Sequence, residues 1–416
     1  MDFDRSTNFL IGRGTGKTTL INLIKALISA DINQLRAITF TSADLRFKDE
    51  SSNKVARIQV RVVDEPNVLE SITYEYRPNS TAKPKEYEVF FRQARRIRLA
   101  NSKTVRTFLE NDHDREFHAQ RRLAQVLSGL IEISWLSLHR KDFEVPNDDL
   151  DEWDDDRPYI STVDEKLGQV FRDVSRYFFR LDAKVASRLR EFQKQSFLSF
   201  LTSDSRTDVN IINDIAPEKE KESLTKIFEQ FDVNEEQFSE ELDAQFRRFS
   251  EIRDDLRHGK STGLKRIAVL VDTLRLHYLV GRWQELEKHQ KEILQPKSHF
   301  EDVCSDLLFR KNLVVNELNE LRIHDDISNN IINIEDLSSG EKQLLIFLSE
   351  TLLQEKNVHI FLADEPELSL HIEWQESLVA KILELNPNSQ VLFATHSPDI
   401  VSGFRANVVT MESLIG

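Results

Sequence analysis

A single cysteine, Cys304, among 416 residues rules out an internal disulfide framework and fits a reducing, cytoplasmic setting. No apolar run reaches the roughly 18 residues needed to span a bilayer, so no membrane partner is expected. The N-terminus, MDFDRSTNFLIG, lacks the basic and apolar regions of a secretory signal. Positive charge is also short: 56 Lys and Arg against 71 Asp and Glu leave a formal charge of −15. That balance argues against a chain that coats nucleic acid over most of its surface, yet it permits a local basic groove. There is no internal repeat and no low-complexity tract. What remains is an ordinary globular composition, 39% hydrophobic and 31% charged. The chain is long enough for two compact units or one core with a large insertion.

The residues that carry chemistry lie at the two ends. NFLI (Asn8 to Ile11) reads as a short strand, GRGTGKTT (Gly12 to Thr19) follows, and Leu20, Leu23, Ile24 and Leu27 mark one face of a helix. A phosphate-binding loop reads G-x-x-x-x-G-K-[ST], because backbone amides wrap phosphates while Lys and a hydroxyl meet phosphate and magnesium. Gly16, Lys17 and Thr18 match, and Gly12, Arg13, Gly14, Thr15 and Thr19 complete the loop. Gly12 is one residue too close to Gly16. Either the loop is unusually short or the chain lacks a residue there, and the second is favoured because a shorter loop forfeits an amide from the cradle.

At the far end, IFLADE (Ile360 to Glu365) is a buried strand ending in two carboxylates. Asp364 at such a strand end can hold magnesium through water, and Glu365 can orient or deprotonate an attacking water. Ser338, Ser339 and Gly340, with Glu341 after them, open a helix, and hydroxyls and free amides there make an anion site. Taken alone, that segment also fits a plain N-cap with Glu341 and Lys342 on an exposed first turn. His396, at the end of the strand Val391 to Ala394, is placed to meet a γ-phosphate, although a lone His at a strand end is usually structural. The expected ligands are ATP and Mg2+, with Thr18 and Asp364 at the metal.

Between the ends, Arg36 to Ala43, Lys54 to Val63, Leu69 to Tyr76 and Tyr87 to Phe91 predict an antiparallel sheet. Val55, Ile58, Val60 and Val62 are the candidate inward residues of its second strand. A helix is expected over Phe117 to Leu130 and a buried strand over Ile131 to Arg140. Asp148 to Asp156 holds seven acids in nine residues, bracketed by Pro146 and Pro158, and reads as a solvated loop at a boundary. Leu167, Phe171, Val174, Phe178, Leu181 and Val185 then form a heptad seam. Helices are expected over Glu220 to Phe231, Glu235 to Leu256 and Leu264 to Leu294, the last with Ile267, Leu270, Val271, Leu274 and Tyr278 as its stripe. Short strands return from Leu307 to Ile334. The expected organisation is an N-terminal lobe (1–145), a helical insertion (146–305) and a C-terminal lobe (306–416).

The order of P-loop, antiparallel strands, helical insertion, LSSGEKQ, DEPE-x-x-LH and THSP resembles the ABC-type ATPases of the SMC, Rad, RecF and OLD kind. Among these it is most similar to the stand-alone ATPases of prokaryotic anti-phage defence operons, such as the ATPase subunits of the PARIS and Septu systems. The resemblance covers residues 8 to 45 and 307 to 404. It implies an α/β, ABC-type P-loop core with an antiparallel β subdomain and an inserted helical arm of coiled-coil character. It further implies an ATP sandwich in which Lys17, Thr18 and Asp364 of one subunit face Ser338, Ser339 and Gly340 of another. Glu365 would be the catalytic carboxylate and His396 the switch histidine. Gln93 is a candidate magnesium-sensing glutamine, with His139 as a rival, and Glu367 stands where many relatives carry an inter-subunit Asp.

Relatives usually open with a strand well before the P-loop, so the resemblance expects a chain trimmed at its N-terminus. OLD-type nucleases continue into a TOPRIM domain. Only about a dozen residues follow Phe404, too few for a domain, so cutting is assigned to a partner. The function implied is an ATPase sensor or scaffold, a homo-oligomer controlling a separate TOPRIM or HNH nuclease and answering to a phage-encoded trigger. The competing reading is a RecF- or Rad-type repair ATPase that closes over duplex DNA. It rests on Arg92 to Arg106, with six bases and no acid, which also fits a solvated face. The insertion is too short for a Rad tether and too large for a transporter ATPase.

Overall fold

The computed structural model describes residues 7–12, 14, 16–49, 54–63, 71–79, 81–90, 122–127, 132–136, 162–201, 211–260 and 263–414. In chain order the elements are β1 (Thr7–Ile11), α1 (Lys17–Ser29), α2 (Ile32–Ala37), β2 (Ser42–Asp49), β3 (Lys54–Val63), β4 (Ser71–Arg77) and β5 (Lys85–Phe90). A helical stretch α3 (122–127) and β6 (Glu132–Leu136) follow. Then come α4 (Thr162–Leu201), α5 (Ile211–Asp214), α6 (Pro217–Gln230), α7 (Ser239–Arg257) and α8 (Leu264–Leu307). The chain closes with β7 (Lys311–Val315), β8 (Leu321–Asp325), β9 (Ile331–Ile332), α9 (Ser339–Leu353), β10 (His359–Asp364), α10 (Ile372–Leu385), β11 (Ser389–Ala394) and β12 (Val408–Thr410). Two compact units result: Met1–Phe171 with Val303–Leu313 and Arg322–Gly416, and Arg172–Asp302 with Val314–Leu321.

The first unit is built on a five-stranded sheet in the order β12-β1-β11-β10-β6, with every pairing parallel. Parallel strands are covered on both faces, which is why they read as near-continuous apolar runs. Successive side chains alternate between those faces. Phe9, Phe361 and Phe393 point to one, where Phe361 meets Phe347 of α9 with ring centroids 5.9 Å apart. Leu10, Leu362 and Leu392 point to the other, against Ile21, Ile24 and Ile28 of α1. A second sheet, β2-β3-β4-β5, is an antiparallel meander. Its inner residues Ile58, Val60, Ile72, Tyr74 and Val89 pack on Ala26 and Leu27, a different stripe of α1. A small sheet, β7-β8-β9, precedes α9.

The second unit is helical. Phe192 of α4, Leu224 and Ile227 of α6, Leu242 and Phe246 of α7, and Val280, Trp283 and Leu286 of α8 share one core. Phe192 meets Trp283 edge-on at 5.3 Å. On α4 the seam residues Leu167, Phe171, Val174, Phe178 and Leu181 are buried as the heptad spacing predicts, while Val185 is half-buried.

Several sequence expectations are corrected. Arg36 to Ala43 is not a strand: Asp31 caps the N-terminus of α2, its carboxylate accepting from Asn33 and Gln34 N–H at 3.1 Å, and the strand starts at Ser42. Val55 cannot share a face with Ile58, Val60 and Val62, because its parity is opposite; Ile58 and Val60 are buried and Val55 is not. Helix α8 runs through Pro296 to Leu307 instead of ending at Leu294. An internal proline costs about 3 kcal/mol, and the burial of Phe300, Val303 and Cys304 just beyond it offsets that cost. On α8, Val280, Trp283 and Leu286 line one core, and of the expected stripe Leu270 and Leu274 pack against Ile212, Ile215 and Phe249 while Ile267 stays 46% exposed. The second unit begins at Arg172, inside α4, where no composition shift marks it.

Two outcomes follow for stability. Ile58→Ala should cost about 2–5 kcal/mol, and Val55→Ala under about 1 kcal/mol, read from denaturant midpoints. His359, at the start of β10 with Nε2 2.8 Å from Ser134 Oγ, is held by burial in its neutral form, its pKa lowered to about 4. The unfolded chain takes up this proton below about pH 6.5, so the stability contribution is complete above that pH and is lost between 6.5 and 4. Thermal midpoints across that window should flatten in His359→Gln.

Candidate nucleotide site

Strand register brings the two ends of the chain to one edge. Leu10 pairs with Ala394, and Ala394 pairs with Asp364, so the C-terminal ends of β1, β11 and β10 lie level. At a strand spacing of about 4.8 Å, buried Asp364 lies roughly 10 Å from the P-loop strand. The described residues that follow each strand converge beyond this edge: Gly12, Gly14 and Gly16 to Thr18 after β1, Glu365 to Glu367 after β10, and Thr395 to Ser397 after β11. This is why the motifs lie at strand ends. The ladder fixes their level and the turns beyond it aim the side chains.

Gly12, Gly14 and Gly16 have φ of 140°, 63° and 77°, conformations that side-chain-bearing residues rarely adopt. A Cβ at Gly14 or Gly16 would meet nothing within 4 Å, so these glycines serve backbone direction, not close packing. Gly16 caps α1 without a side-chain acceptor, and no acidic residue occupies the first turn. The first amides of the helix and its positive dipole end therefore suit an anion. Lys17 is buried; its Nζ donates to Gly12 O at 2.5 Å and lies 2.8 Å from His396 Nε2. An ammonium only donates, so Nε2 is the acceptor in that contact. Thr18 and Thr19 are exposed on the first turn of α1. Arg13 and Thr15 lie outside the described residues, as do Gln93, His139, the basic run Arg92 to Arg106 and the acidic run Asp148 to Asp156.

Glu365 follows β10 with φ of 49°, and its N–H donates to Ala394 O at 2.8 Å. A left-handed conformation in a non-glycine residue costs about 1–3 kcal/mol. It turns the carboxylate to within 3.9 Å of His396 Nε2. Lys17, His396 and Glu365 thus form one chain of contacts. Within the chain, Glu367 accepts from Thr395 Oγ1 at 2.8 Å and from His396 N–H at 2.7 Å. Three glycine conformers, an uncapped helix end, a buried lysine and the oxygen donors Thr18 and Asp364 fit ATP with Mg2+, a cation that prefers oxygen ligands.

Ser338 to Glu341 close on themselves. Ser338 Oγ accepts from Glu341 N–H at 3.3 Å, and the Glu341 carboxylate accepts from Ser338 N–H at 2.8 Å, a reciprocal capping box. The first turn is not exposed as a plain cap would have it: Glu341 and Lys342 are buried. Glu341 pairs with Lys311 at 2.6 Å and Lys342 with Asp164 at 2.6 Å. Burial pushes the Glu341 carboxyl up, but the bonds from Lys311 and Ser338 outweigh it and hold the group below the usual carboxylate range. Ser338 and Ser339 remain exposed. Among the described hydrogen bonds, none joins Ser338 to Glu341 with the Gly12 to Thr18 loop.

Sequence reasoning missed the supports around this site. Gln343 Nε2 donates to Pro366 O at 3.0 Å, and Gln375 accepts from Ser397 Oγ at 2.6 Å while donating to Leu370 O at 2.9 Å. The S-x-x-E spacing of Ser338 and Glu341 was a readable capping signal. Nothing in the sequence marks the two glutamines. A Cβ at Gly340 would run into the carbonyl oxygen of Ser369 and come 3.1 Å from Trp374 Cζ3. Gly340→Ala should therefore cost about 1–3 kcal/mol, with a lowered thermal midpoint as the measure, whatever its effect on nucleotide.

A family model described as an AAA ATPase domain matches residues 1–401. The Retron Vc95 probable ATPase of Vibrio cholerae serotype O1 biovar El Tor is 37% identical over 82 residues, 17% of this chain and 16% of the relative. The Retron Ec83 probable ATPase of Escherichia coli is 31% identical over 86 residues, 18% of this chain and 16% of the relative. The chain thus matches about a sixth of the length of these curated relatives. Among solved structures, it is similar to an Smc head domain with an extended coiled coil from Pyrococcus furiosus, bound to the C-terminal domain of ScpA. That likeness has 12% identity, covers 99% of this chain and 88% of the other, and has a TM-score of 0.39. An Smc head domain with a coiled coil and joint from Pyrococcus yayanosii is similar at 14% identity, with 99% and 91% covered and a TM-score of 0.35. The parallel sheet and the antiparallel meander compose an α/β core that carries the P-loop, and by the match over residues 1–401 the chain belongs to the AAA ATPase domain family.

Proposed function

We propose that this chain binds ATP with Mg2+ at the Gly12 to Thr19 loop and hydrolyses it as the sensor or scaffold subunit of an anti-phage defence complex. One observation carries the chemistry: Lys17, His396 and Glu365, from opposite ends of the chain, meet within 2.8 and 3.9 Å. Bound Mg2+ would neutralise phosphate charge and polarise the bond that breaks. The amides of the loop and Lys17 hold the phosphates, Thr18 and Asp364 hold the metal, and Glu365 takes the proton of the attacking water. His396, released from Lys17 and protonated at Nε2, would donate toward the phosphate group being transferred. The exposed Ser338 and Ser339 at the α9 N-terminus offer a second copy the other wall of the site.

The retron ATPases among the relatives support the defence reading, with a separately encoded effector under control of nucleotide state. The finer assignment is an ATPase of the PARIS or Septu kind, with a TOPRIM or HNH nuclease as effector and a phage protein as trigger.

Glu365→Gln should lower kcat about 100- to 10,000-fold, the contribution of a general base, with ATP binding kept. Lys17→Ala should abolish binding by calorimetry. Normal turnover by Glu365→Gln would remove the base from its role. Native mass of the chain co-expressed with a neighbouring nuclease gene should show a homo-oligomer carrying the nuclease. A strict monomer without partner, with or without ATP, sinks the effector reading.

A further inference from the structure

We propose that Glu367 is the positioning residue of His396 within its own chain, the group that sets the imidazole against Lys17 and the nucleotide. The inference rests on the nucleotide reading of the site. Thr395 is the last residue of β11's path tied to the sheet, its N–H donating to Leu10 O at 3.0 Å. Past it the ladder has ended, and the next peptide needs another anchor. Glu367 supplies it: one carboxylate oxygen accepts the His396 N–H at 2.7 Å and the other accepts the hydroxyl of fully buried Thr395 at 2.8 Å. Hydrogen bonds to an ionised acceptor are shorter and stronger than neutral ones. The Thr395 hydroxyl in turn accepts from Ser397 N–H at 2.9 Å, so the turn around His396 is held on both sides.

With the His396 N–H held by Glu367 and Thr395 held through both its N–H and its hydroxyl, the backbone leading into His396 is constrained, and its ring reaches Lys17 Nζ at 2.8 Å. Glu367 is itself steadied by its neighbours. Gln375 spans Leu370 O and Ser397 Oγ, and Gln343 of α9 holds Pro366 O. The second glutamate of DEPE thereby ties the strand that ends in the catalytic carboxylate to the strand that ends in the histidine. Both groups are aimed from one turn.

The test uses the full chain. Glu367→Ala should lower kcat about 100-fold, the scale of an ångström-level misplacement, with KM for ATP moving less than about threefold. Glu367→Gln should recover most of that loss, because its Oε1 can accept from the His396 amide while its Nε2 donates to the Thr395 hydroxyl. Glu367→Asp, one methylene short, should not. In a His396→Ala background, Glu367→Ala should add no further loss; independent, additive losses overturn the proposal. Hydrogen exchange of the His396 amide without nucleotide gives a readout separate from hydrolysis. It should quicken about tenfold or more in Glu367→Ala while the Val391 to Ala394 amides hold, and an unchanged His396 rate overturns the proposal. If the wild-type chain hydrolyses no ATP, the nucleotide reading falls and the exchange rate alone decides the positioning role.

Discussion

The site depends on one alignment: Leu10, Ala394 and Asp364 stand at the same level of a parallel sheet. Parallel pairing makes the strands end on the same edge, and burial on both faces fixes their register, since a slip by one residue would exchange the phenylalanine and leucine faces. Phe9, Phe361 and Phe393 on one side, and Leu10, Leu362 and Leu392 on the other, enforce that register through packing alone. The polar residues past each strand end need no pairing preference of their own. They are delivered to one place because the apolar residues before them cannot slide.

Helix α9 shows how much of the surrounding order is electrostatic. It is buried from Gly340 to Ser349, and its first turn brings Glu341 and Lys342 into the interior. Such charges are tolerable only when paired, and removing one partner of a buried pair costs about 3–5 kcal/mol. Lys311, at the start of β7, and Asp164, in the first turn of α4, are those partners. A third pair, Lys166 with Glu350 at 2.5 Å, sits about two turns further along α9. The segments on either side of the helical insertion are therefore bonded to the helix that carries Ser338 and Ser339. Segments far apart in the chain are pinned to the element expected to meet a second copy.

The nucleotide motifs were legible because each is a short string whose residue types follow from its chemistry, and the apolar runs before Gly12, Glu365 and His396 announced their strands. The antiparallel meander was legible from alternation, except where parity was ignored at Val55. The misreadings have physical causes. The helix α2 hides in a β-branched neighbourhood and is set by one cap, Asp31. Helix α8 passes Pro296 because packing beyond the proline outweighs one lost backbone bond. The bracing of the site was not legible at all. Glu367, Gln343 and Gln375 bond to atoms between 5 and 29 residues away, and no local spacing encodes such a bond.

Strand β1 takes its hydrogen bonds from Val391–Ala394 on one side and Val408–Thr410 on the other. Both partners lie nearly 400 residues further along the chain. A ribosome adding about 5–20 residues per second needs roughly 20–80 seconds to reach them. Through that interval Ile21, Ile24 and Ile28 of α1 have no sheet to cover, although the meander can already take Ala26 and Leu27. Until those strands emerge, the nascent chain carries an exposed apolar stripe on α1, and the cover of its P-loop helix waits on residues nearly 400 positions away.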